Sequence, residues 1–225
     1  MSDGAPLAER LATVSEQIAA TARDVGRDPA DITTIVVTKF HPASLVRELA
    51  ELGVRDVGEN RHQEAQAKAA ELADLGLRWH FVGQLQSKKA RQVRQYASAI
   101  HSIDRPALVD ALAEGEPLDS FVQLNLTDDP GRGGVALDQL EPLVERVLAA
   151  PGLRLRGVMA VAPLDEEPRR AFARVKAASD RVRALAPDAG AISAGMSLDF
   201  AAAIAEGATH LRIGSAITGN RPLHP

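Results

Sequence analysis

The sequence predicts an α/β fold, a single (β/α)8 TIM-type barrel with an extra N-terminal helix, with residues 1–225 forming one domain. Three observations carry that expectation. Apolar, β-branched runs of strand length recur at 33–39, 54–58, 78–83, 99–103, 120–126, 153–161, 189–194 and 210–217. Ala-, Leu-, Glu- and Arg-rich stretches with helical spacing separate them, so neighbouring strands need long crossovers and must run parallel. A chain of 225 residues that is 45% hydrophobic suits one barrel-sized core. A doubly wound open sheet is the other way to arrange the same alternation.

The elements follow in order. A helix at about 6–25 precedes the first strand and is expected to cap the barrel. Helical spacing recurs in "ASLVRELAEL" (43–52), "QEAQAKAAEL" (63–72) and "LDQLEPLVERVLAA" (137–150). Tyr96 is expected in the helix before the fourth strand, and Ser197 with Asp199 in the first turn of the helix after the seventh. No linker or low-complexity tract interrupts the pattern.

Composition narrows the chemistry. The chain has no cysteine, which excludes disulfides, thiolate metal sites and thiol catalysis. A net charge of −4 gives no overall electrostatic footprint for nucleic acid or an anionic membrane. The N-terminus lacks a basic segment followed by an apolar core, and no apolar run is long enough to span a bilayer, so a cytoplasmic protein is expected.

Active sites of such barrels sit at the C-terminal mouth, on strand ends and the loops that follow. Lys39 ends the first strand run, in "IVVTKFHP", and only five of the 26 basic residues are lysines. Alternation puts Ile35, Val37 and Lys39 on one face. The plainer reading is a lysine snorkelling to water. The chemical reading is an amine at an apolar mouth, where burial favours the neutral form that imine chemistry needs. After the seventh and eighth strands, "ISAGMSLDF" and "HLRIGSAITG" place Ser197, Gly214 and Ser215 where barrels commonly bind phosphate through backbone N–H groups. Taken alone, Ser197 reads as a helix N-cap. An amine opposite a phosphate cradle fits pyridoxal 5'-phosphate (PLP), held as an aldimine on Lys39.

"VVTKFHP", "GVRDVGENRHQE", "WHFVGQLQSKKAR", "HSID", "GVMAVAP" and "ISAGMSLDFAAAIAEGATHLRIGSAITG" together resemble the pyridoxal-phosphate homeostasis family, across nearly the whole chain and in order. The resemblance implies a barrel like the N-terminal domain of alanine racemase and a role in vitamin B6 homeostasis without substantial catalysis. It implies Lys39 as the imine lysine, Arg212 facing the pyridine nitrogen, Asn60 near the cofactor ring, and Ser197, Gly214, Ser215 and Ser193 as phosphate contacts. Partners would be PLP and PLP-dependent apoenzymes, and the protein a monomer or weak dimer. The chain departs from the family pattern at Lys88, Ala194 and Thr218, and carries Arg132 where some members have a lysine.

An amino-acid racemase on the same scaffold is the alternative function, and a Schiff-base aldolase acting on a phosphosugar is a third. Racemisation needs two bases on opposite faces of the cofactor. By resemblance the second is a tyrosine from a separate domain, for which this sequence shows no residues. The cluster in "KKARQVR" (88–94) reads as a solvated helix face, and His80 as hydrogen-bonded framework.

Overall fold

The computed structural model describes residues 5–127 and 129–220. Eight parallel strands close into a barrel in sequence order: β1 (Thr33–Val37), β2 (Asp56–Glu59), β3 (Arg78–Phe81), β4 (Ala99–Ile103), β5 (Leu118–Gln123), β6 (Leu153–Met159), β7 (Ala191–Ser193) and β8 (His210–Ile213). Pairing of β1 with β8, Ile35 opposite Arg212, closes the ring. Helices α1 (Leu7–Asp24), α2 (Ala43–Glu51), α3 (His62–Glu71), α4 (Ala90–Arg94), α5 (Pro106–Leu112), α6 (Leu140–Leu148), α7 (Pro168–Leu185), α8 (Phe200–Ala205) and α9 (Ser215–Thr218) surround it. The predicted barrel is the observed one, and the open sheet is excluded.

Local chemistry starts the helices where they start. Pro106 and Pro168 occupy first helical positions, where the missing N–H costs nothing. Glu167 accepts from the N–H groups of Arg169 and Arg170 and caps α7. Apolar stripes of α4 to α8, packed with the strands, make up most of the main core. A smaller cluster of Val46, Ala50, Val57, Ala69, Leu72, Leu77 and Trp79 seals α2 and α3 onto β2 and β3.

Three expectations about elements are corrected. Helix α1 lies along the outside of the barrel against α8 and α9, so it caps neither end. The Arg10 Nε donates to Ile217 O (2.7 Å), and Arg27 Nη1 donates to the carbonyls of Ile204 and Ala208 (2.9 and 2.7 Å). The run 210–217 is strand only to Ile213, because Ser215 opens α9. Tyr96 lies just beyond α4, and its hydroxyl approaches His62 Nδ1 at 3.4 Å on the outer flank.

One glycine is required for closure. Gly157 has φ of +152°, and a Cβ there would sit 1.8 Å from the carbonyl oxygen of Ala191 on the next strand. Only a glycine allows β6 this approach to β7, at the residue where the register of β6 against β5 also shifts, between Ser120 and Phe121.

Candidate functional site

Register identifies the inward faces. Ile35 pairs with Arg212, and Val37 pairs with Gly58, which pairs with His80. Paired residues of parallel strands point the same way, so these side chains share the barrel lumen. Lys39 follows in alternation, two residues beyond β1, at the mouth.

The lumen is polar along one line. Asp56 Oδ1 lies 2.9 Å from His80 Nε2, His80 Nδ1 lies 2.9 Å from His101 Nε2, and His101 Nδ1 lies 2.9 Å from Ser193 Oγ. Arg212 Nη1 then donates to Ser193 Oγ (2.9 Å) and Ser193 O (2.7 Å), and Nη2 to Ala160 O (2.8 Å). The His101 ring stacks on Phe121 at 4.3 Å.

Burial, offset by hydrogen bonds from His80 and Arg78, leaves the Asp56 carboxyl lowered to about 2, so it is a carboxylate at neutral pH. Burial, with the Arg212 charge nearby, pushes His101 well down, keeping it neutral. One proton arrangement satisfies every group: each donor points towards Asp56, and the Ser193 hydroxyl donates to His101 while accepting from Arg212. The Asp56 charge therefore polarises a relay that ends at the guanidinium. Burial lowers Arg212 to about 10, which leaves it cationic at neutral pH. Among the described residues no carboxylate lies within ion-pair distance of it.

The predicted site residues gather at the mouth end of the barrel, with one change of place and one change of surroundings. Ser197 lies in the turn before α8 and not in its first helical turn; Asp199 precedes the helix and accepts from Met196 N–H at 2.5 Å. Lys39 is exposed, so the expected apolar surroundings are absent. Its Nζ makes no hydrogen bond or ion pair among the described residues and sits 5.8 Å from the Phe40 ring centroid. Ser193 is fully buried, with its hydroxyl engaged by His101 and Arg212. Gly214 and Ser215 open α9, whose first N–H groups have no partner inside the helix. Asn60 follows β2 directly, and its Oδ1 is buried without a hydrogen-bond donor. Gly83 lets the end of β3 approach Asn60, since a Cβ there would come within 2.4 Å of Asn60 O.

These residues fit a phosphorylated aldehyde. The Arg212 guanidinium, the free Lys39 amine, the Ser197 and Ser215 hydroxyls and the unpaired buried amide oxygen of Asn60 lie at the mouth end of the barrel. Surface hollows elsewhere carry none of them: one of about 390 Å³ is lined by Ala69, Leu72, Trp79 and Tyr96, and one of about 700 Å³ lies beside Arg154 and Asp188.

The family described as alanine racemase, N-terminal domain, matches residues 14–222. The pyridoxal phosphate homeostasis protein of Pseudomonas aeruginosa is 42% identical, with 96% of each chain covered. That of Escherichia coli K12 is 38% identical over 96% of this chain and 97% of its own. The chain belongs to the pyridoxal phosphate homeostasis protein family. PipY of Synechococcus elongatus PCC7942, solved with PLP bound, superposes with a TM-score of 0.82 at 34% identity, covering 95% of this chain and all of PipY. An alanine racemase from Corynebacterium glutamicum shares the fold, with a TM-score of 0.70 at 18% identity, and this chain spans 60% of it.

Sequence reasoning missed Asp56, His101, Glu64 and Lys68. The signal for the first two was their place in strand runs: polar residues at alternate strand positions mark a polar lumen. "KKARQVR" is only partly a solvated face, because Arg94 Nη1 donates to the carbonyls of Leu112 (3.2 Å) and Gly152 (2.9 Å). Among the described residues no helix is long and apolar enough to cross a membrane, and no cluster has the make-up of a metal site.

Proposed function

We propose that this protein binds PLP reversibly on Lys39 and serves vitamin B6 homeostasis without substantial catalysis. The observation that carries the reading is the unpaired Lys39 amine, mounted at the mouth of a barrel that also holds a buried, charged Arg212.

PLP supplies an aldehyde, an aromatic ring and a phosphate. Lys39 would hold the aldehyde carbon through a carbon–nitrogen double bond, the aldehyde oxygen leaving as water. Ser197, Gly214 and Ser215 would hold the phosphate through hydroxyls and backbone N–H groups, in a field made positive by Lys39 and Arg212. Ser193 serves at one remove, by holding Arg212. Asn60 Oδ1 is an acceptor awaiting a donor.

Arg212 also argues against strong catalysis. A guanidinium facing a pyridine nitrogen disfavours its protonation, which weakens the ring as an electron sink. Nor does Tyr96, the sequence's one tyrosine, reach the mouth: its hydroxyl is turned to His62 outside the barrel. Transfer to PLP-dependent apoenzymes would take place at this mouth, where Leu164 and Leu198 are 95% and 98% exposed.

The test is spectroscopic titration with PLP, borohydride reduction and mapping of the adduct. The expected adduct is on Lys39, and Lys39→Ala removes it while melting like the wild type, because loss of an exposed side chain leaves no cavity. An adduct on another lysine, or none, refutes the assignment.

A further inference from the structure

We propose that Glu64 and Lys68 are positioning residues for Lys39, forming with Glu59 a buried clamp on the turn that carries the amine. The inference rests on the reading of Lys39 as the cofactor lysine and deepens it. Lys68 and Glu59 are 5% and 1% exposed, an unusual depth for charged side chains. The Lys68 ammonium donates to Glu59 Oε1 (2.7 Å), Glu64 Oε1 (2.7 Å) and the carbonyl oxygen of Thr38 (2.8 Å), which uses all three of its protons. Thr38 Oγ1 donates to Glu59 Oε1 (2.7 Å), and the N–H of Phe40 donates to Glu64 Oε1 (2.6 Å).

The clamp therefore grips both peptide groups that flank the Lys39 Cα, while the Lys39 side chain stays free. The turn needs gripping. Phe40 has φ of +68°, the one positive value at a non-glycine among the described residues, a conformation that costs an aromatic residue energy. His41 N–H closes the turn on Thr38 O at 3.1 Å. An apolar trio would pack α3 against β1 and β2 as well as this ion cluster does, since buried ion pairs gain little over well-packed hydrophobes. Such a trio would take the charged donor from Thr38 O and the carboxylate acceptor from Phe40 N–H, and with them the grip on either side of Lys39.

The experiment compares two ligands on the full-length protein. PLP needs Lys39, whereas pyridoxine 5'-phosphate, with an alcohol in place of the aldehyde, needs only the ring and phosphate contacts. Glu64→Ala is expected to weaken PLP binding about tenfold or more, from loss of a charge-assisted bond to the turn, and to lower the yield of borohydride-fixed adduct. Affinity for pyridoxine 5'-phosphate should stay within about threefold. Glu64→Asp keeps a charge for Lys68 but is one methylene short of Phe40, and should show the same split where Glu64→Ala is too unstable to assay. Unchanged PLP binding, or equal loss of both ligands, overturns the clamp as a positioning device. Wild-type protein that binds neither ligand would instead overturn the cofactor reading, and the clamp's role with it.

Discussion

Asp56→Asn tests the polar line through the barrel. Asp56 is 8% exposed and accepts from His80 Nε2 at 2.9 Å and Arg78 Nε at 2.7 Å. Its carboxyl lies at about 2 in the folded protein against 3.8 in the unfolded chain, despite the opposing cost of burial. That difference is worth about 2 kcal/mol, since a tenfold change in an acid's dissociation constant corresponds to about 1.4 kcal/mol. The folded value is the depressed one, so the contribution is fully present above pH 3.8 and is lost as pH falls through about 2. Roughly half of it should be gone by pH 3. Asparagine keeps an oxygen for His80 but removes the charge, so the variant should unfold at about 1 M lower urea at pH 7, taking a slope of about 2 kcal/mol per molar. The assay is urea unfolding of both proteins at pH 7 and pH 3, followed by circular dichroism. A variant as stable as the wild type at pH 7, or a gap that does not narrow at pH 3, would refute the reasoning.

Other outcomes follow from the same geometry. Gly157→Ala should cost about 3 kcal/mol or more, because its Cβ would meet Ala191 O at 1.8 Å on a backbone at φ +152°; a melting temperature equal to the wild type's would refute the close approach. Pyridoxal without its phosphate should bind at least about a hundredfold more weakly than PLP, since charge-assisted bonds to an anion are the strong ones; equal affinities in the same titration would remove Ser197, Gly214 and Ser215 from the site. PLP-loaded protein incubated with L-alanine in deuterated water should accumulate no D-isomer by chiral chromatography. Many turnovers that vanish in Lys39→Ala would favour the racemase.

Eight strands and most of the long helices are legible in the sequence because periodicity is a local property. Ile35, Val36 and Val37 announce a strand whatever surrounds them, and the spacing in 43–52 announces a helix. Strand ends are less legible. The first run extends to 39 by its pattern, but β1 stops at Val37, because Phe40 takes a left-handed conformation that Glu64, 24 residues away, helps to hold. The run 54–58 omits Glu59, a charged residue that belongs to β2 because Lys68 on α3 neutralises it.

By itself the sequence determined the alternation of strand and helix, the order of the strands and the presence of a lysine and small-residue loops at strand ends. It also carried the motifs of its family. Only the tertiary structure decided what surrounds them: that α1 lies outside the barrel, that His80 and His101 join Asp56 to Arg212 across the lumen, that Ser193 serves the arginine, and that Lys39 stands exposed on a clamped turn. The physical reason is separation along the chain. Helical and strand propensities act between residues a few positions apart, whereas His101 and Ser193 meet across 92 positions and Arg212 and Ala160 across 52. Such hydrogen bonds exist only after the barrel has closed and excluded water, and no local pattern encodes which polar groups will then face one another.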